Sequence, residues 1–367
     1  MKALFTTFPA YGHLLPMLPL ARAAVAAGDE VVVVAAEELH ATADDLTMRA
    51  LGPSLPEPPT EHVDPLHRTV ALLTTARADL AFDELCETAD DERPDVIVAG
   101  MRDYVAPLVA QRLGIPWVTF VHGPATADDA VLEGGLARAA ERRELPVPVR
   151  TATVQLWPEW LESEQIAAHQ EAAFPIGATA YNTSTVADIP AFDGTRPVVL
   201  VTLGTAVEDA ALLNTVVRGV LDAGADALVT TGFALGPEDI EGDPDRVRAV
   251  PFAPIGQLLD RVRAVVTSGG AGTTLAALSR GLPLAFLPHV TNRPDLADRP
   301  LVASAVAGFD AGVLCDDPAK LTAAVEMVLH DPELRAWARA AAEWLDRRPA
   351  PGVVWSLLRD RIAESGR

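Results

Sequence analysis

VVTSGGAGTTLAALSRGLPLAFLP, residues Val265 to Pro288, reads as strand, glycine turn, helix and strand in immediate succession. Val265 and Val266 close a buried strand, Gly269, Gly270 and Gly272 permit a tight turn, and helix formers run from Thr273 to Arg280 until Gly281 and Pro283 stop them. The first amides of such a helix have no partners within it. They point beyond the strand end, where they and the positive end of the helix dipole favour an anion. The stretch therefore predicts a parallel α/β unit with a turn suited to phosphate.

Working outward, a related unit begins at Val198: strand VVLVTL, turn Gly204-Thr205, helix from about Asp209 to Ala223, Gly224, then strand ALVTT. The N-terminus carries another. Lys2 to Phe8 reads as a strand, Pro9 to His13 as a turn, Leu14 to Ala27 as a helix and Glu30 to Ala36 as a strand whose VVVV run suits burial on both faces. PDVIVAG (Pro94 to Gly100) and IPWVTFVHG (Ile115 to Gly123) add buried strands to this half. The halves echo one another and predict two doubly wound α/β domains facing each other across a cleft. DIPAFDGTRP, Asp188 to Pro197, reads as the linker. It gives domains over residues 1–190 and 191–350, with a final helix over 351–367 returning to the first, and the last helices bring Trp344 and Trp355 with them. The proline-rich run from Gly52 to Pro65 and the charged run from Ala125 to Pro148 read as surface excursions, a wall or lid for an acceptor.

Composition narrows the function. The 367 residues, 49% of them hydrophobic, suffice for two cores. A formal charge of -22 repels nucleic acid and anionic membrane surfaces, while leaving room for a small anion held by local amides. Apolar runs are too short to span a bilayer, and Pro9 and Gly12 interrupt any signal-peptide core, so a cytoplasmic protein is expected. Cys86 and Cys315 lack metal-type or paired spacing; neither a disulfide nor a metal site is expected.

His13 stands where the first strand turns into the first helix, at the end of the sheet that ligands approach. Near a helix N-terminus the imidazolium is disfavoured, which leaves a neutral ring able to accept a proton. A histidine there serves equally as a cap or packing residue, and the surrounding segment must decide. That segment, PAYGHLLPMLPLARAAVAAGDEVVVV, resembles the inverting nucleotide-sugar glycosyltransferases of the GT-B fold, in particular the actinobacterial enzymes that decorate polyketide and other natural-product aglycones. Gly12-His13-Leu14-Leu15-Pro16 matches the family hallmark, and PDVIVAG, YVAPLVAQRLGIPWV, VLVTLGT, VPFAPIGQLL and SGGAGTTLAALSRGLPLAFLP follow in family order along most of the chain.

The resemblance implies metal-independent transfer of a sugar, a deoxysugar among the candidates, from dTDP or UDP to a small hydrophobic acceptor, by a monomer or homodimer without a cofactor. His13 would be the general base. Diphosphate contacts would come from Gly204, Thr205, Ser268, Gly269, Gly270, Gly272, Thr273 and Thr274, and nucleobase contacts from Phe252 and Ala253. Tyr11, His122, Trp157 and Trp160 lie in segments expected to edge the acceptor, and packing is an equal alternative for all four. Three positions depart from the family. Ser268 replaces a histidine before the paired glycines, the Asp-Gln pair that reads donor hydroxyls aligns without a gap on Asn292-Arg293, and Gly100 replaces an aspartate that orients the catalytic histidine. Asp103 is the nearest carboxylate in sequence and the candidate orienting residue. Some relatives with glycine at this place join sugar to carbon, so a C-glycosidic product stays open beside an O-glycoside. These departures also motivate the alternative of a catalytically silent homologue that binds nucleotide or aglycone. An epimerase would need no acceptor base at His13, and a nicotinamide dehydrogenase would need the GxGxxG absent from the first turn.

Overall fold

The computed structural model describes residues 1–52, 69–126, 129–162, 173–183, 189, 191–205, 208–289 and 298–365. Its strands are β1 Lys2–Thr6, β2 Glu30–Ala35, β3 Thr47–Ala50, β4 Val96–Gly100, β5 Trp117–Val121, β6 Ala152–Gln155 and β7 Ala173–Pro175, then β8 Val198–Thr202, β9 Asp226–Thr230, β10 Val247–Val250, β11 Ala264–Thr267, β12 Leu284–Phe286 and β13 Gly312–Leu314. They form a seven-stranded sheet ordered β3-β2-β1-β4-β5-β6-β7 and a six-stranded sheet ordered β10-β9-β8-β11-β12-β13. All pairings are parallel, with Leu4 between Val32 and Ile97 in the first sheet and Leu200 between Leu228 and Val265 in the second. Parallel strands covered by helices on both faces need continuous apolar runs, which EVVVVA, VIVAG and VVLVT supply.

Each order reverses between the first strand of its unit and the fourth, β1 beside β4 and β8 beside β11. At such a reversal the connections diverge to opposite faces and leave a crevice at the carboxyl ends of the strands. His13 follows β1, and the turn Ser268 to Gly270 follows β11. The expected helix Leu14–Ala27 is in fact two helices, Tyr11–Leu14 and Leu18–Ala26. Pro16, without an amide hydrogen, interrupts the ladder between them, and the Met17 amide turns back to the Leu14 carbonyl at 2.9 Å. His13 therefore sits on a separate short turn.

The chain divides into two compact units, one of residues 1–158, 173–177 and 349–365, the other of 159–162 and 178–348. The division falls ahead of the proline-rich stretch that reads as a linker. Hydrogen bonding that composition does not reveal ties the chain there to the second unit: ahead of the stretch Tyr181 O accepts from Gly256 N at 3.0 Å, and within it Ile189 O accepts from Arg261 Nη1 at 2.9 Å. The helix Pro351–Ser365 belongs to the first unit, where it packs on the helix Leu18–Ala26. Trp344 does not follow it. Its ring lies in the second unit, 5.3 Å from that of Trp160 and 5.2 Å from that of Phe309, so Trp160 packs in an aromatic cluster of that unit.

Trp355 locks the returning helix. Its buried Nε1 donates to Asp29 Oδ2 at 2.7 Å, and the same carboxylate pairs with the Met1 amine at 2.9 Å and Arg359 Nε at 3.5 Å. Desolvation pushes the Asp29 carboxyl up, but these donors and charges outweigh it and hold it below the usual carboxylate range. Trp355→Phe leaves that carboxylate short of a donor and is expected to lower stability by about 1–3 kcal/mol in a urea titration. A carboxyl with a lowered folded-state value stabilises above its unfolded value, near 4, and loses that contribution as pH falls through the folded one, so the gap between wild type and variant should narrow in acid.

Candidate active site

In the first unit, three strand ends converge on His13. Its half-buried ring lies 5.0 Å from the ring of Phe8, which follows β1, and 4.5 Å from that of His122, which follows β5, the two imidazoles nearly perpendicular at 79°. His13 Nδ1 is 3.0 Å from the carbonyl oxygen of Met101, just past β4. A carbonyl only accepts, so Nδ1 carries the proton and Nε2 is the basic nitrogen. This is the tautomer a general base needs.

The carboxylate expected to orient His13 acts differently. Asp103 Oδ1 accepts from the amides of Val105 at 3.1 Å and Ala106 at 3.3 Å, at the entry of the helix Ala106–Leu113. Asp103 is therefore corrected from a partner of the imidazole to a residue that fixes the turn after β4. Arg102 in that turn has φ 66°, a left-handed conformation uncommon outside glycine, and this shape presents the Met101 carbonyl to His13. An aspartate at Gly100 would crowd its neighbours, since a Cβ there would lie 2.9 Å from Thr7 Oγ1 and 3.0 Å from Met17 Sδ and those side chains would have to shift.

His122 is 4% exposed, and burial, followed by the charges of His13 and Arg102, pushes its imidazole well below the usual range. It is a neutral wall for His13, nearer the base than its expected place at the acceptor edge. Trp157 is a further correction: at 0% exposure its side chain belongs to the packing and offers no face to an acceptor. Tyr11 stays accessible, and its phenol donates to the Glu38 carbonyl at 2.8 Å. Burial, then the Glu38 charge, raises that phenol above its ordinary value.

In the second unit, the turns after β8, β9 and β11 approach one another. Gly204 has φ 90°, and a Cβ on Gly232 would lie 3.5 Å from the Gly204 carbonyl and 3.7 Å from Thr205 Cα. Gly269 has φ 95°, and a Cβ there would come within 2.7 Å of the Arg299 carbonyl oxygen. Gly270 caps the helix Ala271–Leu278 without a side-chain acceptor, which leaves the first-turn amides for another one. Gly270, Gly272, Thr273 and Thr205 are half-buried and within reach of a ligand. Ser268 and Thr274 are not. Ser268 is 1% exposed and its hydroxyl donates inward to the Leu203 carbonyl at 2.9 Å, while Thr274 is buried in its helix.

Phe252 is half-buried and stacks on Phe233 at 4.7 Å and 23°, with Ala253 beside it. Phe233, 51% exposed after β9, was missed by the sequence reading, although Gly232 before it was a turn signal. The pair forms an accessible apolar shelf fit for a flat base. Arg299, buried at the start of the helix Arg299–Gly308, was also missed; its Nη1 donates to the Leu203 carbonyl at 3.3 Å. Asn292 and Arg293 lie outside the described residues. Among the described residues no group of three or more His, Cys, Asp and Glu could hold a metal ion, and no helix is long and apolar enough to cross a membrane.

Comparison with known proteins places the chain in a family. Residues 209–360 match the family described as erythromycin biosynthesis protein CIII-like, C-terminal domain. The chain is 30% identical to the L-demethylnoviosyl transferase of Streptomyces niveus, with 96% of each chain covered. It is 31% identical to the elloramycin glycosyltransferase ElmGT of Streptomyces olivaceus, over 98% of this chain and 97% of that one. The crystal structure of the glycosyltransferase SnogD from Streptomyces nogalater is similar with a TM-score of 0.82 at 26% identity, covering 98% of this chain and 99% of that one.

Proposed function

From the premise that this chain belongs to the actinobacterial antibiotic glycosyltransferases of the GT-B fold and is itself a glycosyltransferase, we propose that it moves a sugar from a nucleoside diphosphate to a phenolic natural-product acceptor in the cytoplasm, with inversion and without a metal. One observation carries the reading: His13 Nδ1 is committed to the Met101 carbonyl, so Nε2 takes the acceptor proton. The acceptor oxygen bonds to the anomeric carbon while the bond from that carbon to the diphosphate breaks, its electron pair leaving with the phosphate. Amides opening the helix Ala271–Leu278 would stabilise this charge without rearrangement if the diphosphate lies there, a reading supported by the lack of a side-chain cap. The Phe233–Phe252 shelf would receive the base.

A phenol is favoured by the electrostatics of the base. In many relatives a carboxylate stabilises the histidine as it gains its proton. Here Gly100 leaves no carboxylate at that place, and a neutral carbonyl does the orienting. A base oriented by a carbonyl rather than a carboxylate is best matched to an acidic acceptor, and a phenol ionises near 10, well below an aliphatic alcohol. The carbon beside such a hydroxyl is itself nucleophilic, which keeps a C-glycoside among the products. No observation favours a catalytically silent homologue.

The test is incubation with dTDP- and UDP-sugars and matched panels of phenolic and aliphatic-alcohol aglycones, with products identified by mass spectrometry and anomeric configuration by NMR. Phenols are expected to be glycosylated at least ~10-fold faster than alcohols of similar size, the order of one small catalytic interaction. Equal rates, or turnover of alcohols alone, would sink the phenol assignment.

A further inference from the structure

We propose that His122 is a positioning residue for the general base, its perpendicular ring fixing the plane of the His13 imidazole so that Nε2 meets the acceptor hydroxyl. This deepens, and rests on, the reading that His13 takes the acceptor proton. The hydrogen bond from His13 Nδ1 to the Met101 carbonyl at 3.0 Å selects the tautomer. The direction of Nε2 depends in addition on the plane of the ring. The torsion that turns an imidazole is broad and has no sharp minimum of its own, so ring contacts set that plane.

The sheet order explains how those contacts arise. β4 lies between β1 and β5, which puts Met101 after the middle strand, Phe8 after one neighbour and His122 after the other. Both flanking rings pack on His13, at centroid distances of 5.0 and 4.5 Å. The closer contact, with planes at 79°, is the edge-to-face arrangement that aromatic pairs favour. His122 is itself held firmly, at 4% exposure. Its Nδ1 is buried without a hydrogen-bond partner among the described residues, so the ring acts through its surface and not through that nitrogen. Burial also keeps His122 neutral, and no second charge forms beside His13 as it gains a proton.

The inference is tested by steady-state kinetics on a phenolic acceptor with wild type, His122→Leu, His122→Phe, His13→Ala and the double variant His13→Ala with His122→Leu, alongside thermal melts. His122→Leu is expected to lower kcat at least ~10-fold and leave the acceptor KM within about twofold, as misorientation of a reacting group implies. His122→Phe, which keeps a flat ring, should turn over at least ~3-fold faster than the leucine variant for the same reason. In the His13→Ala background the leucine substitution should change turnover by less than about twofold, because a residue that acts through His13 is not additive with it. A general packing role would lower both backgrounds alike. If the leucine variant does not fold, His122→Asn, which also lacks an aromatic ring, is read in the same cycle. An equal loss in both backgrounds, a phenylalanine variant no faster than the leucine one, or a folded ringless variant with wild-type kcat overturns this inference alone. A wild type that glycosylates no acceptor, or a His13→Ala variant with wild-type turnover, overturns the base reading and this inference with it.

Discussion

His13→Ala is expected to lower turnover by at least ~10²-fold, the contribution of a positioned general base, while affinity for the nucleoside diphosphate stays at the wild-type value. The two readouts separate because the imidazole belongs to the first unit and the glycine turns to the second. The variant should fold, since the ring is half-buried and loses ring contacts with Phe8 and His122 rather than a core position. The loss should also shrink as the acceptor phenol becomes more acidic, because a nucleophile that ionises easily needs less from the base. Steady-state kinetics over a series of substituted phenols measures both effects. Turnover within threefold of wild type would remove His13 from proton transfer.

Gly269→Ala is expected to weaken donor binding and lower stability together. At φ 95° a residue with a Cβ pays about 1–2 kcal/mol for the left-handed backbone alone. The added atom also meets the Arg299 carbonyl oxygen at 2.7 Å, and a backbone atom cannot swing aside as a side chain would. Either the turn after β11 or the start of the helix Arg299–Gly308 must move, and both border the anion site. A melt several degrees lower and a diphosphate affinity down at least ~10-fold are the expected results, about 1.4 kcal/mol per factor of ten. Gly270→Ala is the informative comparison. Its Cβ meets no heavy atom within 4 Å and its φ is -61°, so it should melt like wild type, and any loss of affinity there reports a methyl group facing the ligand. Unchanged diphosphate affinity in Gly269→Ala would separate this turn from the donor.

By itself the sequence determined the two parallel α/β units, the histidine after the first strand and the glycine turn after β11. Each is written in a local pattern: runs such as EVVVVA that only a strand buried on both faces uses, Gly-His before a helix, and glycines where φ must be positive. Tertiary structure alone decided which groups surround those features. The Met101 carbonyl that sets the His13 tautomer, the His122 ring beside it, and the Arg299 guanidinium between Gly204 and Gly269 come from distant parts of the chain. The division between units moved for the same reason, because hydrogen bonds from Gly256 to Tyr181, ahead of the proline-rich stretch, and from Arg261 to Ile189, within it, tie both residues to the second unit. Composition and periodicity record how each segment meets water and its own backbone; they carry no record of which remote carbonyl, ring or cation the folded chain brings against it.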